Sequence, residues 1–245
     1  MAFASWRGTV GAIKPTYRPG GLEELIRLLP DGIAVIPLFL GIREGTIAEF
    51  RTVLGAVEDK VRELAAIGVD LIHPEGAPPF MVAGYAHERE LLARWERQHG
   101  VPVITSGTTQ IEAMRALHMQ RIVGVTYFSG ELNDIFAQYF HDAGFEVLAM
   151  EGIDVAFDQV GRLASREVYA FTRQVVRRHE RVDGVYMLGS GWRVLDILEL
   201  LEQDLELPVL HAIPARVWAI QQRFGVRQRT PGYGRLLAEQ PRPVG

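Results

Sequence analysis

Glu75, Ser190 and His211 are the side chains best suited to move a proton or attack a carbonyl, and each stands where an apolar run gives way to a loop. His73-Pro74-Glu75-Gly76-Ala77 closes one run, Leu188-Gly189-Ser190-Gly191-Trp192 a second and Leu210-His211-Ala212 a third. Glu75 suits a general base whose pKa is raised by burial, or a carboxylate salt-bridged at a rim. The neutral imidazole of His211 suits proton transfer near pH 7; bonded to a loop carbonyl it is structural. Ser190 offers a hydroxyl, but no G-x-S-x-G elbow surrounds it, and a helix-capping role competes. Lys14 ends a further apolar run, where it either holds a substrate carboxylate or lies exposed. His73, Glu75 and His211 together raise a metal site, which no HxH or HExxH spacing supports.

Composition narrows the chemistry. There is no cysteine in the 245 residues, so disulfides, thiolate nucleophiles and Cys-ligated metals are excluded. A net charge of −4 gives no electrostatic case for nucleic acid or an anionic membrane as partner. No stretch nears the ~18 apolar residues of a membrane span, and Met1–Thr9 lacks a signal-peptide run, so a cytoplasmic protein is expected. Neither a P-loop nor G-x-G-x-x-G follows a strand, and no organic cofactor is expected. A homo-oligomer is left open.

These residues must be positioned by alternating strands and helices. Strands are expected at Thr9–Ile13, Gly32–Phe39, Val69–His73, Pro102–Thr105, Arg121–Thr126, Glu146–Met150, Gly184–Leu188 and Pro208–His211. Helices are expected at Gly21–Leu29, Ile47–Ile67, Glu88–His99, Thr109–Leu117, Leu132–Ala143, Ser165–His179 and Val194–Gln203. This alternation predicts α/β architecture with parallel sheets. Two junctions correspond between the halves. Ile67-Gly68-Val69-Asp70-Leu71-Ile72 leads to Gly76 as Val182-Asp183-Gly184-Val185-Tyr186-Met187 leads to Gly189, and Gly100-Val101-Pro102-Val103-Ile104-Thr105 resembles Glu206-Leu207-Pro208-Val209-Leu210-His211. An internal duplication explains both, and the alternative is the grammar that all α/β units share. Residues 1–108 form the expected first half, completed by 215–245, and 109–214 the second. Ligands then bind beyond the carboxyl ends of the strands, in a cleft between the halves.

Val10-Gly11-Ala12-Ile13-Lys14-Pro15, Gly184–Asp196 and the tail Thr230-Pro231-Gly232-Tyr233-Gly234-Arg235-Leu236 carry a resemblance to a known family. They resemble the opening strand, second catalytic loop and C-terminal tail of the aspartate/glutamate racemase superfamily, closest to arylmalonate decarboxylases and maleate cis-trans isomerases. The resemblance implies two pseudo-symmetric flavodoxin-like halves around a cleft. It also implies one cysteine per half in racemases and isomerases, and only the second in decarboxylases. Gly76 falls on the first position and Gly189 on the second, so the family's thiol chemistry does not carry over. Phe50 and Phe128 fall where the decarboxylases have tyrosines, and Ala77 and Pro78 where they have hydroxyl residues.

The expectation is therefore a cofactor-independent isomerase or lyase that passes a small carboxylate or carbonyl compound through an enolate-like intermediate. Ser190, His211 and Glu75 are the candidates for the proton. Lys14, Pro15, Thr16, Gly76, Ala77, Thr126, Tyr127, Phe128, Gly189, Gly191 and Trp192 are expected around the substrate, with backbone N–H groups as an oxyanion site. The alternatives are a non-catalytic carboxylate-binding relative, and a hydrolase or lyase built on His73, Glu75 and His211.

Overall fold

The computed structural model describes residues 5–244. Among the described residues, seven strands run as β1 (Gly8–Lys14), β2 (Ile33–Phe39), β3 (Leu71–Pro74), β4 (Arg121–Thr126), β5 (Glu146–Gly152), β6 (Gly184–Met187) and β7 (Val209–His211). The helices are α1 (Gly20–Leu28), α2 (Ile47–Ile67), α3 (Pro78–Ala83), α4 (Tyr85–His99), α5 (Ser106–Ala116), α6 (Glu131–Asp142), α7 (Ser165–Val176), α8 (Leu198–Leu205), α9 (Ala212–Arg223) and α10 (Arg235–Glu239). They flank two parallel sheets of order β2-β1-β3 and β5-β4-β6-β7. Parallel strands covered on both faces have no room for alternation, which is why β1 reads as an apolar run up to Lys14.

The two sheets correspond in their pairing. Ala12 pairs with His73 in the first sheet as Gly124 pairs with Tyr186 in the second. Aligning those pairs sets Lys14 on Thr126, Pro15 on Tyr127 and Gly76 on Gly189. The counterpart of β7 is reduced: Pro102–Thr105, expected as a strand, makes one parallel bridge, Val103 to Ile72. The run is too short to propagate, because Thr105 already caps α5, where its hydroxyl accepts the Thr108 N–H at 3.1 Å. His211 plays the same part for α9, accepting the Ile213 N–H on Nδ1 at 3.4 Å. Five residues into each helix stand Gln110 and Arg216, and α9 packs on α5 and α1.

Two further elements depart from expectation. Val194–Gln203 begins as a 3-10 turn, Leu195–Ile197, before α8. The loop after β3 contains a helix, α3, that the proline pair conceals. Pro78 and Pro79 sit in its first turn, where their missing N–H groups cost nothing.

Candidate active site

The carboxyl ends of both sheets face a cleft with about 680 Å³ of free space, its open mouth included. At its floor lies a buried charged triad. Glu75 Oε2 accepts from Lys14 Nζ and, at 2.8 Å, from Arg216 Nη1. β1 delivers the lysine, the end of β3 the glutamate and the first turns of α9 the arginine. All three are out of water, and Lys14 and Arg216 also line the cleft. Burial alone would raise the Glu75 pKa, but the Arg216 and Lys14 charges outweigh it and hold it below the usual carboxylate value. Burial pulls Lys14 down against the opposing pull of Glu75. Two cations share one carboxylate, so the floor carries an excess positive charge. Charge complementarity then asks for an anion in the cleft.

The walls combine polar and apolar groups. Arg18 reaches over the cleft, with its guanidinium 4.5 Å from the Phe157 ring centre and a hydrogen bond to the Phe157 carbonyl. Phe50, Phe128 and Phe157 supply apolar groups, with Phe128 5.7 Å from Phe157 and 6.0 Å from Phe50 between ring centres. The two glycine loops also line the cleft. Gly76 and Gly189 both have positive φ, +84° and +87°. A side chain is strained there. The Gly76 N–H donates to Ser106 Oγ at 3.2 Å, and the Gly191 N–H to the Tyr127 hydroxyl at 3.3 Å. A Cβ placed on Gly189 would lie 2.7 Å from Tyr127 Cζ and closer still to its oxygen. The phenol thus fills the space that a residue-189 side chain would take.

Of the expected residues, the structure brings Lys14, Pro15, Thr16, Gly76, Ala77, Tyr127, Phe128, Gly189, Ser190 and Gly191 to the cleft wall. Four expected residues do not line it. Glu75 lies beneath the surface because both cations bind it. His211 is wholly buried as the α9 cap, and burial pushes its pKa down to about 3. Thr126 ties its own turn, donating to Asn133 Oδ1 at 2.8 Å and accepting the Phe128 N–H at 3.0 Å. Trp192 stands behind Tyr127, edge-on at 5.1 Å, and donates Nε1–H to the Gly189 carbonyl at 3.2 Å. Peptide planarity then turns the Ser190 N–H to the opposite side. His73 is also buried, with Nδ1 2.6 Å from the Ile104 carbonyl and a pKa lowered to about 3 by burial. No group of three or more His, Asp or Glu residues that could hold a metal ion occurs among the described residues.

Sequence reasoning missed Arg18, Ser106, Gln110, Phe157 and Arg216. Two signals mark Arg216. It is the one Asp, Glu, Lys or Arg between Glu206 and Arg223, and the correspondence of the two halves sets it on Gln110.

Fold and cleft define a two-halved parallel α/β protein like a group of known isomerases and lyases. The maleate isomerase Iso of Pseudomonas putida S16 superposes with a TM-score of 0.87 at 21% identity, over 95% of this chain and 99% of that one. An arylmalonate decarboxylase structure gives 0.81 at 21% identity, over 94% and 99%. In sequence, the arylmalonate decarboxylase of Bordetella bronchiseptica is 25% identical over 240 residues, 94% of this chain and 97% of that protein. The maleate isomerase of Nocardia farcinica is 28% identical over 139 residues, 56% and 55% of the two chains. The arylmalonate decarboxylase family model matches residues 20–237, and the chain belongs to that family. A mutant of the Nocardia enzyme, of TM-score 0.85 at 21% identity over 95% of this chain and 98% of that one, carries a covalently bound succinylcysteine intermediate. This chain has no cysteine.

Proposed function

We propose that the protein is a lyase or isomerase that carries a small carboxylate through an enolate-like intermediate, using neither a thiol nor an organic cofactor. The observation that carries this reading is the Lys14–Glu75–Arg216 triad, whose surplus cation faces an otherwise largely apolar cleft. A substrate carboxylate held by Lys14, Arg216 or Arg18 keeps its charge in a dry site, where each charge-assisted hydrogen bond is strong. The loop N–H groups of Gly189 and Ser190 serve the oxygen on which charge builds up as the enolate forms. Phe50, Phe128 and Phe157 keep water from that oxygen. A second carboxylate pressed against these rings loses its hydration and gains nothing in return, which favours its departure as CO2. In this reading Glu75 positions the two cations, and His211 sets the start of α9 and with it Arg216.

The test is NMR in D2O with phenylmalonate, maleate and phenylacetate as separate probes. Decarboxylation, cis-trans isomerisation or α-proton exchange supports the reading. Binding of all three with no change in any of them would identify a carboxylate-binding protein instead.

A further inference from the structure

The geometry points to Tyr127 as the proton donor that takes the place of the missing thiol, its phenol delivering the proton to the substrate's α carbon. This rests on the enolate chemistry proposed above and names the acid within it.

Three observations converge on this side chain. The first is position. The phenol oxygen occupies the space that a side chain at Gly189 would fill, on the loop to which the family resemblance assigns a cysteine. A hydroxyl therefore stands where the family resemblance expects a thiol side chain. The correspondence of the two sheets sharpens the point: Tyr127 matches Pro15 of the first half, and Pro15 likewise covers Gly76, its Cγ 3.0 Å from where a Cβ would stand. Each half therefore covers its glycine with the residue after its first strand, and only the second half supplies a proton there.

The second is stabilisation of the conjugate base. The Gly191 N–H already points at the phenol oxygen at 3.3 Å. Arg18 reaches the same loop, with Nη1 3.1 Å from where a Gly191 Cβ would stand. An N–H dipole and a guanidinium are what a phenolate needs while it awaits reprotonation. Burial sets the resting form: it raises the Tyr127 pKa against the opposing pull of Gly191, Arg18 and Arg216, so the phenol is protonated before the reaction.

The third is rigidity. The ring is held edge-on by Trp192 at 5.1 Å and in tilted contact with Phe128 at 4.8 Å. A locked donor delivers its proton to one face of a planar enolate. Ser190 is the competing hydroxyl of the loop, but its Oγ lies against α1, 3.2 Å from where a Gly21 Cβ would stand.

The step balances without a further reagent. The bond from the α carbon to the leaving carboxylate breaks, CO2 departs and the electron pair enters the enediolate. The phenol O–H bond then breaks as the α C–H bond forms, and water reprotonates the phenolate.

The experiment follows decarboxylation of α-methyl-α-phenylmalonate and the enantiomeric excess of the 2-phenylpropionate formed. Wild type is expected to give one enantiomer in excess. Tyr127→Phe is expected to lower kcat at least ~100-fold and to give racemic product, because water then reaches either face. KM should stay within about threefold, since the carboxylate contacts are untouched. Trifluorotyrosine at position 127 keeps the ring in place and makes the phenol more acidic. It is expected to move the alkaline limb of the kcat/KM profile at least ~1 pH unit lower, which a purely structural role would not do. Turnover and enantiomeric excess that survive Tyr127→Phe, or are lost in Ser190→Ala instead, overturn the assignment alone. Absence of turnover by wild type on this probe and on phenylmalonate, maleate and phenylacetate overturns the proposed function and the assignment together.

Discussion

Arg216 and Glu75 lie 141 residues apart in the chain and are joined by a 2.8 Å ion pair that is out of water on both sides. With Lys14 on the same carboxylate oxygen, the pair clasps the end of the first sheet to the start of α9. A buried pair is weak evidence for net stability, but breaking one leaves an uncompensated charge in a medium that cannot solvate it.

The order of damage within the triad follows. Glu75→Gln leaves two buried cations facing each other and is expected to destabilise the fold by about 3–5 kcal/mol. Lys14→Met leaves the Arg216–Glu75 pair intact and should cost less than half as much. Urea denaturation of the two variants decides it, and equal losses would show that the lysine is as indispensable as the carboxylate.

Stability should peak near pH 6.5. His73 and His211 have folded pKa values of about 3 against an ordinary 6.5, so below 6.5 the unfolded chain takes up two protons that the folded one excludes. That lowers stability as pH falls, by about 1.4 kcal/mol per pH unit for each histidine. Glu88 works the other way. Burial lifts it to about 7 against an ordinary 4.5, so between those values the folded state holds the extra proton. Its contribution is therefore present at acid pH and lost as pH rises through 7. For these three groups together the slope from 6.5 to 4.5 is one proton, roughly 1.4 kcal/mol per pH unit. Glu88→Gln removes the opposing proton and should double that slope, measured by denaturation from pH 4.5 to 8.

Placing a cysteine at position 189 should fail on its own. The site has φ +87°, and any Cβ there meets the Tyr127 ring. Gly189→Cys is expected to cost about 2–4 kcal/mol from overpacking and backbone strain together. Adding Tyr127→Ala clears the space, and the two changes should couple by more than ~1 kcal/mol in a double-mutant cycle. Simple additivity would mean that the phenol swings aside freely.

Much of the scaffold could be read from residue types alone. The bounds of α2 agree with expectation because Thr46 caps its start and left-handed Gly68 ends it. Strands buried on both faces announce themselves as apolar runs, and the glycine loops at Gly76 and Gly189 mark the carboxyl ends. The site was harder. Lys14, Glu75 and Arg216 each have a local reading as an exposed lysine, a rim carboxylate and a helix-surface arginine. Only the crossing of α9 over the first sheet makes them one group. His211 reads two ways for a similar reason: the end of a strand predicts the ligand side and a proton-transfer role, but capping α9 turns its ring into the interior, as the structural alternative expects.

Arg18 offers the cleanest test of the anion reading, because it lines the cleft without belonging to the buried triad. Its guanidinium rests on Phe157 and is only partly buried, so its removal leaves no orphaned charge in the core. Malonate at low ionic strength serves as the probe. Binding to wild type should raise the melting temperature in proportion to the logarithm of malonate concentration once the site is saturated. Arg18→Met keeps an apolar cover over Phe157 and removes the charge. Loss of one charge-assisted hydrogen bond is worth about 1.5–3 kcal/mol, so the dissociation constant should rise roughly 10- to 150-fold. The stability of the free protein should shift by under ~1 kcal/mol. Calorimetric titration reads the first quantity and thermal unfolding the second. Unchanged malonate affinity in Arg18→Met would remove Arg18 from the site and leave the carboxylate to Lys14 and Arg216 alone.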